Sequence, residues 1–245
     1  MDAKIFEVEA EIELDHWWFR GRRDLFSKQI LGLNLPKDAA ILDVGTSTGT
    51  NLRLLRDAGF TNVHALDSST LAIDYVTRKG LGKVVEGDIC AMPYDEGVFD
   101  LVLATDVIEH VDDDAGALRE IYRVLRPTGR VIVTVPAFNS LWGNHDVVAH
   151  HKRRYRLNQL CERIKSAGFV IERSHYFNYM LFPAIWLARR ILNSVMGGTA
   201  SENRINTPFI NRVLTAIFRF DVRTAPVVKP PFGVSAYAIA QKPAG

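Results

Sequence analysis

The chain has 245 residues, of which 47% are hydrophobic and 24% charged, a composition typical of a globular protein with a substantial core. Its two cysteines, Cys90 and Cys161, exclude a disulfide framework and a cysteine-based metal site. The first residues form neither a basic start nor an uninterrupted apolar block. We therefore expect no secretory signal and a cytoplasmic protein.

The net charge of +2 conceals an uneven distribution along the chain. Residues 1–150 contain 15 Lys and Arg against 24 Asp and Glu, a balance of −9, whereas residues 151–245 contain 15 against 4, a balance of +11. Such a split indicates that the two parts meet different partners or meet each other. The basic part is compatible with an anionic or lipid-linked small-molecule partner; the alternative is that it only neutralises the acidic part.

The first half of the chain alternates apolar runs with amphipathic helical patterns. Strands are predicted at 39–45, 62–67, 83–88, 99–105 and 130–136, and helices at 50–60, 71–80 and 114–129. Strands that alternate with helices of this length require right-handed crossovers. The pattern therefore predicts an α/β fold with a doubly wound, mostly parallel sheet.

The second half adds a helix at 157–169 and strands at 169–177 and 235–242, which brings the predicted sheet to seven strands. Residues 178–233 lie between the last two strands, where a short turn would suffice, and are predicted to be a helical insertion.

Two amphipathic helices are predicted inside this insertion. The first has a stripe formed by Ala184, Leu187, Ala188, Ile191, Leu192 and Val195 and is expected to end at Gly197. The second, at 208–220, has its predicted apolar face at Ile210, Val213, Leu214 and Ile217, with Arg212 and Arg219 outside it. The ten apolar residues at 179–188 are far short of the ~20 that span a bilayer. The insertion is therefore expected to be a lid over a pocket or a surface in peripheral contact with a membrane.

The segment ILDVGTSTGT, residues 41–50, joins the first strand to the first crossover helix, the usual ligand position in open α/β sheets. The three positions that dinucleotide-binding loops fill with glycine are Gly45, Ser47 and Thr50 here, and no Walker lysine follows. Two of the three glycines that bring the backbone close to a pyrophosphate are missing. The loop therefore favours a nucleotide ligand without phosphates.

Acidic residues accompany the first three strands. Asp43 lies near the end of the first strand, Asp67 ends the second and can accept both ribose hydroxyls, and Asp88 ends the third, where it can accept from an exocyclic amine. No basic residue lies among them. This set suits a cationic, ribose-bearing ligand.

These motifs resemble those of the class I S-adenosylmethionine-dependent methyltransferases. The family pattern D-x-G-x-G-x-G corresponds to residues 43–49, with Ser47 at the middle glycine, and FDLVLATDVIEHV and LREIYRVLRPTGRVIVTVP resemble the fourth and fifth strand regions. The resemblance implies a Rossmann-like methyltransferase fold in a single domain, 1–245. A helical cap at 1–37 would precede a cofactor-binding core at 38–137, and residues 178–233 would form a helical lid.

The resemblance implies S-adenosylmethionine as cofactor. Because two loop glycines remain, we expect Ser47 to be compatible with binding. The implied cofactor-binding residues in and after the strands are Asp43, Gly45, Thr46, Gly49, Asp67, Ser68, Asp88, Ile89 and Thr105. In the helical cap, Trp18 would form a stacked wall and Arg23 a bidentate fork for the methionine carboxylate. The alternative is that the tryptophans only fix a helix to the domain.

Histidine is the natural base for deprotonating a hydroxyl acceptor near neutral pH. His110, after the fourth strand, and His145 and His151, after the fifth, are the candidate catalytic residues. His145 and Asp146 are adjacent and so lack the separation of an orienting pair. A metal site at His145, Asp146, His150 and His151 is the alternative, but no carboxylate cluster accompanies them, so no metal is expected.

The sequence thus predicts a methyltransferase that acts on a small-molecule acceptor, most readily at oxygen. The family implied by the resemblance occurs in secondary-metabolite and surface-glycan pathways. The alternatives are methyl transfer to nitrogen or carbon, a non-methylating enzyme, and a cofactor-binding regulatory subunit on the same fold. Nucleic acid is disfavoured because no recognition module is evident, and the chain is expected to be a monomer or a homodimer.

Overall fold

The computed structural model of the chain describes residues 3–195 and 207–244. Within these residues, the strands form one seven-stranded sheet in the order β3-β2-β1-β4-β5-β7-β6. The strands are β1 (Ile41–Val44), β2 (Val63–Asp67), β3 (Lys83–Glu86), β4 (Phe99–Thr105), β5 (Leu125–Pro136), β6 (Val170–Phe177) and β7 (Ser235–Gln241). The pairs from β3 to β5 are parallel, whereas β7 runs antiparallel to both β5 and β6. The predicted α/β fold with a mostly parallel sheet is confirmed.

Helices cover both faces of this sheet and also precede it. They are α1 (Ala3–Ile12), α2 (Trp17–Leu31), α3 (Thr50–Asp57), α4 (Thr70–Lys79), α5 (Asp114–Val124), α6 (Asn144–Val148), α7 (Leu157–Ser166), α8 (Phe182–Val195) and α9 (Pro208–Val228). Short 3-10 turns occur at Ile108–His110 and Asn139–Leu141. None of the helices in the described part of the chain is long and apolar enough to cross a membrane.

The central strands are buried on both faces, so their residues alternate between two hydrophobic cores. In β4, Val102 and Ala104 face the core beneath α5 and α7, whereas Leu101 and Leu103 face the core beneath α2, α3 and α9. This two-sided burial explains the continuous apolar runs of the sequence.

One predicted helix boundary is wrong. The helix expected at 114–129 ends at Val124, and the chain enters β5 directly at Leu125, which pairs with Phe99. Pro127 disfavours the helical conformation at the residue before it, so the segment becomes extended earlier than the helical pattern predicted.

Both predicted helices of the insertion are present. The expected end of the first, at Gly197, lies outside the described residues. The second is longer than predicted and is turned differently: α9 buries Asn211, Thr215 and Phe218, whereas Ile210 and Val213 are exposed. Leu214 and Ile217 are half-buried, so the predicted apolar face of α9 lies at the margin of the face that packs against the protein.

Candidate active site

A cavity of about 730 Å³ lies at the carboxyl ends of β1 to β4. The strand order reverses between β1 and β4, which makes this edge the topological switch point where open α/β sheets bind ligands. Helices α1 and α2, the loops after β4 and β5, and α8 complete its walls. The cavity has an acidic end, at Asp67 and Asp88, and a histidine end, at His110, His145 and His151.

The loop after β1 depends on two glycines with left-handed backbone, Gly45 (φ 70°) and Gly49 (φ 85°). A Cβ atom at Gly45 would lie 2.6 Å from Val107 Cγ2, and one at Gly49 would lie 2.7 Å from Leu81 Cδ1. These glycines are therefore required by the loop's own packing. Ser47, at the middle position of the motif, also has positive φ and directs its Oγ to the Glu9 carboxylate of α1, 3.3 Å away.

Asp67 is fixed by backbone donors at the acidic end. Its Oδ2 accepts from Ser47 N at 3.0 Å and its Oδ1 from Ser69 N at 2.9 Å. Burial raises the pKa of Asp67, which these hydrogen bonds partly offset. Each oxygen keeps acceptor capacity, so the carboxylate can also accept the two hydroxyls of a ribose.

The other residues predicted at this end also line the cavity, except Asp43 and Gly49. Gly45, Thr46, Ser68, Asp88, Ile89 and Thr105 form its surface together with Asp67. Asp43 instead lies fully buried behind the wall, where its Oδ1 accepts from Asn51 Nδ2 at 2.8 Å; the same amide donates to Thr105 Oγ1 at 2.9 Å. Burial raises the pKa of Asp43 to about 6. Its role is to position Asn51, which does line the cavity. Gly49 likewise shapes the loop from behind the surface.

The cap supplies Arg22 where the sequence predicted Arg23. Arg23 donates to the carbonyl oxygens of Glu13 and Leu14 at the end of α1 and so lies outside the cavity. Arg22 lines the cavity, pairs with Asp106 and lies over the ring of Trp18, 5.8 Å from its centroid. Consecutive helical residues point about 100° apart, so a sequence motif with two adjacent arginines does not reveal which one faces the ligand.

Trp18 lines the cavity as predicted and also fixes the cap. Its ring stacks on Phe218 of α9, with centroids 5.4 Å apart. Gly21 is needed beside it because a Cβ atom there would lie 2.0 Å from the Phe218 ring. Trp18 therefore both lines the cavity and fixes the helical cap to the domain, so the two interpretations of this tryptophan are compatible.

All three candidate histidines line the cavity, and His151 has an orienting partner that the sequence did not predict. His151 Nδ1 lies 2.7 Å from Asp146 Oδ1. Asp146 is fully buried and accepts from Arg154 Nε at 2.8 Å and Nη2 at 3.0 Å and from Gly143 N at 2.8 Å. Burial alone would raise the pKa of Asp146, but the hydrogen bonds from His151 and Arg154 hold it below the usual range. An ionised carboxylate thus orients His151 with Nε2 toward the cavity.

His110 and Glu109 complete the histidine end. The His110 ring is 4.7 Å from that of His151, and burial together with the charge of His151 lowers the pKa of His110 to about 4. Glu109 lies fully buried in the cavity wall, with Oε1 4.0 Å from His151 Nε2, and neither of its carboxylate oxygens has a hydrogen-bond partner among the described residues. Burial raises its pKa well above the ordinary value.

The four residues that the sequence offered as metal ligands, His145, Asp146, His150 and His151, do not form a cluster of ligand atoms within the described part of the chain. Asp146 is committed to Arg154 and His151, and His150 is exposed. The ligand atoms that do lie together, within 4.8 Å of one another, belong to Glu109, His110 and His151. The absence of a metal stays a prediction.

Sequence reasoning missed Glu109, Asn178 and the pairing of Asp146 with His151. Asn178 follows β6, lines the cavity and is 1% exposed, and its amide has no hydrogen-bond partner among the described residues. No local motif marks it. It reaches the cavity because β6 runs in the same direction as β5, so that its carboxyl end lies at the same edge of the sheet.

Comparisons with known proteins agree with this geometry. Residues 42–133 match the family model described as a methyltransferase domain. The "Probable S-adenosylmethionine-dependent methyltransferase" of Mycolicibacterium smegmatis is 27% identical over 64% of this chain and 61% of that protein. A malonyl-[acyl-carrier protein] O-methyltransferase of Halorhodospira halophila is 30% identical over 53% and 48% of the two chains.

A solved structure, that of the [4+2]-cyclase SpnF, aligns with a TM-score of 0.58 and 22% identity over 91% of this chain and 81% of that chain. The chain spans about half to three-fifths of the length of the two relatives named above. The glycine loop, the strand order and the family match agree that residues 42–133 form a methyltransferase domain of the class I S-adenosylmethionine-dependent type.

Proposed function

We propose that this protein transfers the methyl group of S-adenosylmethionine to an oxygen atom of a small-molecule acceptor, with His151 as the general base. The observation that carries this proposal is the His151–Asp146 pair, 2.7 Å apart, in the wall of the same cavity as Asp67. The cavity thereby combines groups suited to an adenosine with groups suited to removing a proton.

The residues of the acidic end fit the donor. Asp67 would accept the ribose hydroxyls, Asp88 the exocyclic amine of the adenine, and Arg22 would hold the methionine carboxylate. Asp67 and Asp88 follow β2 and β3, whereas the histidines follow β4 and β5, so a donor lying along the sheet edge would direct its methionine part toward the histidine end.

When bound, the cofactor would supply a methyl group on a sulfonium sulfur, and transfer to the acceptor oxygen would form a C–O bond as the C–S bond breaks, leaving S-adenosylhomocysteine. The protein aligns the two molecules and limits water in the cavity. His151 Nε2 takes the proton of the acceptor hydroxyl, and the ionised Asp146 stabilises the imidazolium that forms. His110, whose pKa is about 4, is a poorer base near neutral pH and is proposed to contact the acceptor instead.

The acceptor would be recognised by buried polar groups for which the described residues provide no hydrogen-bond partner. Buried polar atoms are costly without hydrogen bonds, so Glu109 and Asn178 are the candidate acceptor contacts. Burial raises the pKa of Glu109, and a protonated carboxyl group there could donate one hydrogen bond and accept others.

Two measurements test the proposal. Calorimetry with S-adenosylhomocysteine and with NAD should give binding for the first alone; tight binding of NAD alone would overturn the cofactor assignment. Incubation with methyl-labelled S-adenosylmethionine and fractionated extracts should then give a labelled product whose methyl group is attached to oxygen. A product methylated at nitrogen or carbon would overturn the oxygen assignment.

A second candidate function is non-methylating chemistry in the same cavity. It is favoured by the shared fold of the [4+2]-cyclase SpnF. In that case the protein would bind the cofactor and convert an acceptor without transferring label. A regulatory subunit would bind the cofactor and convert nothing.

A further inference from the structure

Helix α9 turns large apolar side chains toward solvent. Phe209, Val213 and Phe220 are 76%, 43% and 55% exposed. They are spaced by four and seven residues, so they lie on one face of the helix, which Ala216, also exposed, continues. We call Phe209, Val213, Ala216 and Phe220 the apolar stripe.

The rotation of α9 that exposes this stripe is fixed by polar contacts on the opposite side. Asn211 Oδ1 accepts from Trp17 N at 3.3 Å. Asp221 accepts from three consecutive backbone N–H groups at the end of β6, those of Asn178, Tyr179 and Met180, at 2.7, 2.6 and 3.0 Å. Turning the stripe inward would break these buried hydrogen bonds. The fold therefore holds the stripe outward.

A row of arginines flanks the stripe. Arg212, Arg219 and Arg223 are spaced by seven and four residues and are all exposed. Arg219 pairs with Asp24 of α2. Arg212 and Arg223 lie at the surface on either side of this ion pair. An exposed apolar stripe beside a basic row is the pattern of helices that lie in a membrane interface.

Both helices of the insertion also contribute to the cavity wall. Leu214 of α9 and Ala184, Ile185 and Ala188 of α8 line the cavity, and Ala184 and Ala188 are exposed.

We propose that α9 docks the protein onto an anionic lipid bilayer, with the apolar stripe at the boundary between headgroups and acyl chains and the arginine row on the anionic headgroups. A bilayer accounts for both properties of the surface, since the apolar stripe requires an apolar environment and the row requires negative charge. This inference concerns binding and does not depend on methyl transfer.

The test is co-sedimentation of the tag-free chain with vesicles. Vesicles of phosphatidylcholine mixed with phosphatidylglycerol should bind the protein, whereas phosphatidylcholine alone should bind it weakly, and added salt should release it. The double variant Phe209→Ser/Phe220→Ser and the double variant Arg212→Gln/Arg223→Gln should each lower the partition coefficient about tenfold or more. Val170→Ser, which changes an exposed apolar residue of β6, is the matched control and should bind normally.

Three outcomes would overturn the inference: absence of binding to the anionic vesicles, equal binding by the Phe209→Ser/Phe220→Ser variant, or a dimer that this variant dissociates in the absence of vesicle binding. The last outcome would assign the stripe to a second copy of the chain. Affinity for S-adenosylhomocysteine, measured for every variant, should be unchanged. That readout shows that the variants are folded, and it separates failure of this inference from failure of the proposed cofactor site.

Discussion

The two ends of the cavity are assembled in different ways. At the acidic end, Asp67 and Asp88 follow successive strands of the sheet, and the donors that fix them belong to neighbouring loops. At the histidine end, Glu109 follows β4, Asp146 and His151 follow β5, and Asn178 follows β6. The acidic end is thus a property of the sheet edge, whereas the histidine end depends on long segments folding over it. We therefore expect substitutions at the first to change cofactor binding and those at the second to change turnover.

The largest effect is expected from His151→Ala. Loss of the base should lower the rate of methyl transfer about 100- to 10,000-fold, while the affinity for S-adenosylhomocysteine stays the same. Initial rates with labelled donor and calorimetry measure the two quantities. His150→Ala, which changes the exposed neighbouring histidine, is the matched control and should keep the wild-type rate. A rate lost in His145→Ala but kept in His151→Ala would assign the base to His145 instead.

Asp67→Ala should, in contrast, change the affinity for the cofactor product rather than the rate of methyl transfer. Removal of the ribose acceptor should weaken binding of S-adenosylhomocysteine by about 1–3 kcal/mol, roughly 5- to 150-fold in the dissociation constant. Asp57→Ala removes an exposed carboxylate nearby in the sequence and should leave the constant unchanged. A dissociation constant that is the same in both variants would show that Asp67 does not contact the ribose.

Asp43→Asn should stabilise the fold at higher pH. The folded-state pKa of Asp43 is raised from 3.8 to about 6 by burial, so the native state favours the protonated acid and loses stability as the pH rises through about 6. The amide avoids this loss, so the gain in unfolding free energy should be small near pH 4 and on the order of 2 kcal/mol above about pH 7. Urea unfolding at the two pH values measures it. A gain independent of pH would contradict the assignment.

Substitutions of the two adjacent arginines of the cap, Arg22 and Arg23, should have different effects. Arg22→Ala should raise the dissociation constant of S-adenosylhomocysteine by roughly tenfold, because the carboxylate of the ligand loses a charged donor. Arg23→Ala should leave that constant unchanged and lower the unfolding free energy by about 1 kcal/mol, because Arg23 donates to carbonyl oxygens at the end of α1. The reverse result would support the arginine that the sequence predicted.

The smallest effect is expected from metal removal. Dialysis against EDTA should leave the rate of methyl transfer unchanged, since Asp146 and the Nδ1 atom of His151 are committed to each other and to Arg154. A rate that falls and is restored by Mn²⁺ or Zn²⁺ would instead indicate a cation at Glu109, His110 and His151.

The sequence by itself determined the sheet and the acidic end, because strand and helix periodicity and a loop of seven residues, 43–49, are local signals. Parallel strands with short crossovers leave one edge at which such residues converge. The sequence also identified the three histidines of the cavity from their positions after β4 and β5, but not how the long segments that carry them fold.

Only the tertiary structure decided the rest. It paired His151 with Asp146, chose Arg22 over Arg23, moved Asp43 behind the wall and brought Asn178 to the cavity. It also set the rotation of α9. The apolar periodicity of that helix predicted a face at Ile210, Val213, Leu214 and Ile217, but the hydrogen bonds of Asn211 and Asp221 hold the helix so that Ile210 and Val213 are exposed. Periodicity records which residues share a face, whereas distant partners decide which face is buried.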